Sequence, residues 1–485
     1  MHRPFLSVAS WLPWALIVFA CSGGGGASDA PSGDTVSSWY VTASAASGGD
    51  GSQQRPFDSL AKAEEASGPG DVIYVLPAES EALLDGGIAL QENQKLLGLG
   101  PGGAAPGGGS ALPRLTNTTD HLGGVIVELS RGNEVADLHF VDMRNHAIQG
   151  VGGELTETFI HHSLFEGAAE SEEILWSVRL ESNEGTTINV RVTDCEFRDG
   201  DALGGIQIHQ SGESSGDYQF ERNTFSDLGG RAYHLLTEDS SSLQASILDS
   251  TADNIGHGER NSDSILPHLR NSSQQTVFVS NYHYDNTKQV GSSSNTGLES
   301  FLEGAPFPNQ ESWCDGCKLK LRISDSVFEN SVTDGIQLIN FGSNSEIDAV
   351  IRNTRVIGAK PQQVGGGISL LSQNVQNTGN RNKLLIENCD VIGSSQFGIA
   401  ISDEGEGFTS IVDLGGGELG SSGNNRILDS ASGELRAINA NPVAKNNWWG
   451  GRAPRVELVG DASTFDGEPA LETDPRSASA PRPGE

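Results

Sequence analysis

The chain has 485 residues, of which 36% are hydrophobic and 62 are glycine. This composition favours many short strands and turns over long helices. Its 64 acidic and 30 basic residues leave a net charge of −34. This charge repels nucleic acid and anionic lipid, so both are excluded as partners.

The first 21 residues are predicted to form a signal peptide. Residues 6–20 are mostly apolar and are too few for a membrane span. They end in VFAC, which resembles a bacterial lipobox and implies a lipid-modified Cys21, followed by a flexible Gly/Ser-rich linker over residues 22–37. The alternative is an ordinary signal peptide cleaved near Ala20 or Ala27. We expect a lipid-anchored protein of the cell outer membrane or cell surface, touching the membrane only through its anchor, or else a secreted or periplasmic protein.

A short amphipathic helix is predicted to begin near residue 60. Asp58 or Ser59 is suited to cap its N-terminus, and the Gly-Pro-Gly at 68–70 ends it. We expect this helix to cover the open apolar end of the fold. Its covering face is predicted to carry Leu60, Ala61 and Ala63.

One pattern recurs along most of the chain. In VTDCEFRDGDALGGIQIHQ, residues 192–210, a short alternating strand ends at Asp194, a second short strand and a polar turn follow, and a Gly-Ile pair begins another alternating strand. Each unit is too small to bury its own apolar residues, so stacked units must share one core. A sandwich of hairpins would instead show two-residue Asn-Gly turns. Side chains at the first turn are predicted to hydrogen-bond from coil to coil; these anchors are Asp194, Asn223, Asn281, Asp325, Asn353 and Asn388, with a further copy near Asp249.

Four cysteines follow the proposed lipidation site. Cys195 and Cys389 each begin an apolar alternation, which indicates buried packing. Cys314 and Cys317 form WCDGC, which we interpret as a local disulfide rather than half of a zinc site, because the sequence has no second CxxC.

Together these features resemble the right-handed parallel β-helix repeat proteins of the pectin lyase-like superfamily, which includes pectate lyases and polygalacturonases. The resemblance rests on the repeat, on the opening segment 38–77, and on NPVAKNNWWG at 441–450. It implies an all-β solenoid of about a dozen coils over residues 38–470, with an N-terminal capping helix and a disordered tail over 471–485. Trp448 and Trp449 are predicted to plug the last coil; sugar stacking is the alternative for these rings.

The catalytic motifs of the superfamily are present only in part. Gly256-His257-Gly258 and Thr333-Asp334-Gly335 resemble polygalacturonase motifs in reversed order, without the paired-Asp and Arg-Ile-Lys motifs. A pectate lyase would need an Arg or Lys base and Ca²⁺ held by several carboxylates. The acid-rich turns at 198–201 and 402–404 lack an obvious basic partner, so we interpret them as solvated turns and predict no metal site.

One exposed column of side chains is the main candidate site. When the strands that follow the Gly turn are aligned, outward positions bring histidine, arginine and glutamate side by side on adjacent coils. Such a groove is suited to bind a polysaccharide or to supply acid and base, and a solvated structural face is the alternative. The predicted catalytic residues are His209, His234, His268, Arg270 and Glu299. The predicted substrate-binding residues are Gln207, Tyr233 (the alternative to His234 as the outward residue), Gln337 and, in the insertion over 292–319, Trp313; Ser369 continues the column.

Two functions fit these observations. The first is a non-catalytic surface protein that binds a glycan or another surface component along the solenoid. The second is a polysaccharide lyase or glycoside hydrolase, which would need base, acid and any metal ligands on adjacent coils. Because the sequence shows only parts of such a set, we interpret the chain as a monomeric glycan-binding protein and leave catalysis open. No cofactor is expected, except Ca²⁺ in the case of a lyase.

Overall fold

The computed structural model of the protein describes residues 36–78, 82–100, 112–168, 173–257, 262–288, 295–304, 314–361, 365–373, 379–404 and 407–477. The quoted repeat forms one coil with three strands, Thr187–Thr193, Glu196–Gly200 and Leu203–Gln210. Each strand pairs in parallel with the equivalent strand of the next coil. The coils therefore stack into a right-handed parallel β-helix, because the backbone groups of one short strand are satisfied only by its neighbours above and below.

Three long parallel sheets run the length of the solenoid. Sheet 1 has fourteen strands: Ser38–Val41, Val72–Val75, Lys95–Gly98, Glu134–Ala136, Leu155–His161, Thr187–Thr193, Ser215–Glu221, Ser242–Leu248, Gln274–Ser280, Lys318–Ser324, Glu346–Arg352, Arg381–Glu387, Thr409–Gly415 and Val443–Ala444. Sheet 2 has twelve: Leu84–Asp85, Arg114–Thr116, His139–Met143, Leu164–Ala168, Glu196–Gly200, Thr224–Leu228, Thr251–Ile255, His283–Asp285, Val327–Glu329, Arg355–Ile357, Asp390–Ile392 and Arg426–Leu428. Sheet 3 has thirteen: Ile88–Ala89, Val127–Glu128, Ile148–Val151, Leu175–Ser182, Leu203–Gln210, Tyr233–Thr237, Ile265–Leu269, Leu298–Leu302, Ile336–Asn340, Gly366–Gln373, Phe397–Glu404, Gly433–Ile438 and Val456–Val459. The predicted fold of about a dozen coils is confirmed.

The core is one continuous column of stacked side chains. Like residues lie above one another because parallel strands keep the same register from coil to coil. In sheet 2, Phe140, Phe165, Phe197 and Phe225 are fully buried and stack ring on ring, with centroid separations of 4.9, 4.7 and 4.6 Å. No single coil could bury such rings alone, which explains why the repeats form one unit.

The turn between sheets 1 and 2 carries the predicted ladder. Asp249 Oδ1 accepts a hydrogen bond from Asn281 Nδ2 at 2.7 Å, and Asn353 Oδ1 accepts one from Asn388 Nδ2 at 2.6 Å. The ladder residues adopt positive φ, a conformation that Asn and Asp tolerate better than most side chains. One predicted anchor is misplaced: Arg222, not Asn223, occupies this position, and its guanidinium binds Asp194. Asn223 is buried one position later, where its side chain bonds backbone groups of the preceding coil.

Both ends of the solenoid are covered. The only α-helix in the described residues, Leu60–Ala66, packs Leu60 and Ala63 into the core, whereas Ala61, predicted to lie on the same face, is exposed. At the other end Trp449 is buried against Phe465, as predicted for the plug, whereas Trp448 is only partly buried. Within the described ranges, no helix is long and apolar enough to span a membrane.

The chain continues to pack beyond the predicted boundary at residue 470. Leu471 N–H donates to Asn447 O at 2.9 Å, and Arg476 Nη2 lies 3.0 Å from Asp390 Oδ1. The first part of the predicted tail, up to residue 477, therefore contacts the last coils.

The four described cysteines behave as predicted. Cys314 and Cys317 form a buried disulfide, and Cys195 and Cys389 are buried free thiols. Burial raises the pKa of each free thiol to about 12. Both thiols are therefore core residues rather than nucleophiles. Cys21 and the signal peptide and linker up to residue 35 lie outside the described residues.

Candidate functional site

The outer face of sheet 3 brings most of the predicted site residues together, in two neighbouring columns. In the first column Gln207 is paired with His234, and their side chains lie 3.3 Å apart, from Nε2 to Nδ1. In the second column His209 and His268 both pair with Leu236, so they lie two coils apart. Tyr233 was one of two candidates for the outward position and does not occupy it: its ring is fully buried, because the neighbouring His234 takes the outward place and residues alternate along a strand.

Ion pairs and hydrogen bonds connect these side chains. Glu238 accepts from His209 Nε2 at 3.1 Å and from Arg270 Nη1 at 2.6 Å. Glu303 contacts Arg270 Nε and accepts from His268 Nε2 at 2.7 Å. These five residues, together with His234, are named the His–Glu–Arg network. Neither Glu238 nor Glu303 was predicted; each, like Arg270, directly follows the last residue of its sheet 3 strand.

Aromatic rings extend the network along the solenoid axis. His234 stacks on His268 with ring centroids 5.8 Å apart, and Trp176 and Phe301 flank this pair at 5.8 and 5.4 Å. Burial lowers the pKa of both histidines, for His234 well below the usual range; Glu303 opposes the shift at His268. Both imidazoles are therefore neutral at neutral pH, and each is suited to hydrogen-bonding rather than to carrying charge.

A second group, here named the acidic group, lies next to the network on three consecutive coils. Asp263 and Asp334 each precede their sheet 3 strand by two residues, and Glu299 faces outward on the strand between them. Asp263 accepts from Thr296 N–H at 3.2 Å and lies 3.6 Å from Arg231 Nε. Arg231 thus lies beside Asp263, and its charge also acts on Glu299.

Asp334 is held in place by the next coil. Its Oδ1 accepts from Gly366 N–H at 2.7 Å and from the Ser369 hydroxyl, and its Oδ2 accepts from Gln337 Nε2 at 3.3 Å. Burial raises the pKa of Asp334 to about 6, although the bonds from Ser369 and Gly366 lower it in part. Gln337 and Ser369, which were both predicted to lie in the column, therefore hydrogen-bond to Asp334. The sequence identifies this residue only as part of an incomplete polygalacturonase motif.

Glu299 differs from its two neighbours. It is partly exposed, and within the described part of the chain its carboxyl group makes no hydrogen bond. Burial and the negative charges of Asp263 and Asp334 raise the pKa of Glu299 well above its usual range, with Arg231 opposing. Burial also raises the pKa of Asp263. Neighbouring carboxyls with raised pKa values are an arrangement that suits general acid–base chemistry.

The remaining sequence candidates lie elsewhere. His257 contacts the backbone oxygen of Asp227 at 2.9 Å and the carboxylate of Asp201 at 3.4 Å, so it fastens a turn between sheets 2 and 3. Trp313 lies outside the described residues, as does Gly258 of the Gly-His-Gly motif.

The acid-rich turns do not form a calcium site. Asp199 lies 3.5 Å from Arg198 Nε, and Asp403 is buried and accepts from Ser410 Oγ at 2.6 Å. Among the described residues, no group of three or more His, Cys, Asp and Glu side chains is placed to hold a metal ion. The residues therefore do not fit the Ca²⁺ that a pectate lyase would need.

One sequence signal identifies Asp263 and Asp334. Asp263-Ser264-Ile265 and Asp334-Gly335-Ile336 share the spacing Asp-x-Ile immediately before a sheet 3 strand. When the strands are aligned, this spacing places both carboxyl groups at the same edge of the outward column of sheet 3 that contains Glu299.

No protein-family profile and no curated protein sequence matches the chain. Among solved structures, the catalytic unit of a thermostable α-1,3-glucanase from Streptomyces thermodiastaticus is 11% identical, with a TM-score of 0.49; the match covers 84% of this chain and 65% of that chain. The A-module of a mannuronan C-5 epimerase from Azotobacter vinelandii is 13% identical, with a TM-score of 0.36 and coverage of 84% and 94%. A rhamnogalacturonan lyase is 11% identical, with a TM-score of 0.25 and coverage of 90% and 87%. Similarity at this level concerns the parallel β-helix fold alone.

Proposed function

We propose that the protein is a glycoside hydrolase that cleaves a polysaccharide lying along the outer face of sheet 3. The observation that carries this proposal is Glu299, a partly exposed carboxyl group of raised pKa between Asp263 and Asp334 on adjacent coils. Glycoside hydrolysis needs one carboxylic acid that is still protonated and a second carboxyl that is ionised. A group in which like charges and burial raise the pKa values supplies both states.

The roles follow from the surroundings of each carboxyl. Glu299 is the general acid: it donates its proton to the glycosidic oxygen as the bond to the sugar carbon breaks. Asp263 is assigned as the ionised partner that activates the attacking water or attacks the sugar carbon itself, because Arg231 opposes the rise in its pKa that burial causes. Asp334, which accepts three hydrogen bonds, is a positioning residue whose charge keeps the pKa of Glu299 high.

The charges of this face favour hydrolysis over β-elimination. A lyase that abstracts a proton beside a uronate carboxylate needs a cation to neutralise that carboxylate. Here Arg231 faces Asp263, and Arg270 is shared between Glu238 and Glu303. The cations of the site are thus already neutralised by the protein's own carboxylates.

Binding without catalysis is the second candidate. It is favoured by the His–Glu–Arg network, whose charges satisfy one another and so form a rigid polar surface beside Trp176 and Phe301. In that case the acidic group would contribute hydrogen bonds to sugar hydroxyls. A lipid anchor at Cys21 and a location at the cell surface are parts of either proposal.

The test is product release from neutral and uronate-containing polysaccharides, with reducing ends and unsaturated uronates measured in parallel. We expect reducing ends without unsaturation, and at least about 100-fold slower release by Glu299→Gln. Glu128→Gln is the matched control, since Glu128 is exposed in the same outward column of sheet 3 at a distant coil, and it should retain full activity.

Other results would reject this assignment. Unsaturated products would establish a lyase. Polysaccharide binding without release of any product, in the wild-type protein, would favour the non-catalytic alternative.

A further inference from the structure

A depression lies on sheet 1, away from the acidic group. It has a volume of about 410 Å³ and follows four consecutive strands, Thr187–Thr193, Ser215–Glu221, Ser242–Leu248 and Gln274–Ser280. Because the four strands are in register, each contributes its first and third residues to the same two outward columns. At about 4.8 Å between strands, the depression extends about 14 Å along the solenoid axis.

The chemistry of this depression is uniform. Seven of the eight outward residues are Ser, Thr, Asn or Gln, and Asp217 is the only charged one. None of the eight side chains hydrogen-bonds to another described residue. Further along the same sheet some outward side chains are paired, as Arg322 is with Asp348 at 3.0 Å and Lys383 is with Glu346 at 3.0 Å. The exposed Lys318 and Lys320 continue the two columns on the next strand. The depression thus presents a regular array of uncharged donors and acceptors that the protein itself does not use.

Apolar surface lies beside this array. The next outward column of sheet 1 runs through Phe159, Arg191 and Phe278, in register across five coils. The ring of Phe278 is exposed, and Arg191 lies over the ring of Phe159 at 5.4 Å. The column between the two rings is polar, with Gln219 and Ser246, so Phe278 supplies the one exposed ring beside the array. Hydrogen-bonding groups next to an exposed ring suit a sugar chain, which has hydroxyls at its edges and C–H groups on its faces.

We propose that this depression is a second polysaccharide-binding site, specific for an uncharged polymer that runs parallel to the solenoid axis. The net charge of −34, together with Asp217 as the only charged residue of the depression, disfavours a polyuronate, since Lys318 and Lys320 lie beyond the last of its four strands. The site is separate from the acidic group and does not depend on the proposed hydrolase activity. It would hold the protein on its polymer whether or not sheet 3 cleaves that polymer.

The test is migration of the full-length protein through native gels containing glycogen, a mixed β-glucan, a galactomannan or polygalacturonate. Only polymers from which the wild-type protein releases no product are scored, so that neither cleavage nor binding at the proposed hydrolase site on sheet 3 contributes to the retardation. Ser242→Trp fills the depression and should weaken binding of the neutral polymer at least about tenfold. Ser226→Trp is the matched control, since Ser226 faces outward from the neighbouring strand of sheet 2, and it should bind like its parent.

Three results would overturn the proposal. They are unchanged binding by Ser242→Trp, a failure of every neutral polymer to retard the parent protein, and polygalacturonate binding as tight as the neutral polymers. Thermal unfolding of both Trp variants separates loss of binding from loss of folding. The gel measures binding and not cleavage. The second binding site can therefore be supported when the hydrolase proposal is refuted, and refuted when the hydrolase proposal is supported.

Discussion

Replacing Asp334 with asparagine should stabilise the protein at alkaline pH. The carboxyl group of Asp334 is buried, and its pKa is raised from the usual 3.8 to about 6. A difference of about 2 pKa units corresponds to about 3 kcal/mol of destabilisation once the group is ionised in both folded and unfolded states. Asparagine removes this charge and keeps an oxygen that can accept from Gly366 N–H and the Ser369 hydroxyl.

The sign and the pH window follow from the direction of the shift. Below about pH 4 the carboxyl is protonated in both states, so the wild-type protein carries no penalty. As the pH rises through about 6, the folded state must also ionise, and the penalty becomes complete. Asp334→Asn should therefore gain up to about 3 kcal/mol over the wild type at pH 8, and this gain should shrink steadily toward pH 4.

Urea unfolding at pH 4.5, 6 and 8, followed by circular dichroism, measures this difference. Asp461→Asn is the control for the loss of one negative charge from a chain of net charge −34, because Asp461 is exposed. A variant less stable than the wild type at pH 8, or a stability difference that does not change with pH, would refute the argument. The same variant should lose activity, since the proposed acid Glu299 depends on the charge of Asp334 for its raised pKa.

Three further predictions concern the solenoid itself. Phe197→Ala removes the middle of the buried ring stack and should lower the free energy of unfolding by about 3–5 kcal/mol in urea titrations, whereas Phe278→Ala on the outer face should cost less than about 1 kcal/mol. Cys195 and Cys389 should remain unmodified by a thiol reagent at pH 8 and react only in urea, as followed by mass spectrometry, because burial raises both pKa values to about 12. Asn281→Ala should cost more in thermal unfolding than Asn281→Gly, although both remove the bond to Asp249, because only glycine adopts the positive φ of this position without strain.

The solenoid could be predicted almost entirely from the sequence. Its evidence is local and repeated: alternation within each short strand, a polar residue at the first turn, and a Gly-Ile pair before the third strand. Within the repeats, the errors fell at single positions at which two adjacent residues were both plausible. Arg222 holds the turn expected of Asn223, because a guanidinium can bond Asp194 in the coil below. His234 faces outward and Tyr233 inward, because the core accepts the larger apolar ring and a strand permits only one of the two.

The candidate site was predicted only in part. The histidines, Arg270 and Glu299 were recognised as one surface because they lie within aligned strands. Asp263 and Asp334 precede their strands, and each reads as an ordinary turn residue until the coils are stacked. They matter because they lie near Glu299. This proximity can be recognised only when the register between the coils is known.

The sequence by itself therefore determined the coil, its repeat and its covered ends, because each of these follows from which residues must leave water. Only the tertiary structure decided which polar side chains meet, since parallel stacking places residues about 30 positions apart within contact distance. The stacking of the coils also determined the pKa values of the buried carboxyl groups. A carboxyl group titrates normally in a solvated turn, and the acid at 334 acquired its pKa of about 6 only when the next coil buried it.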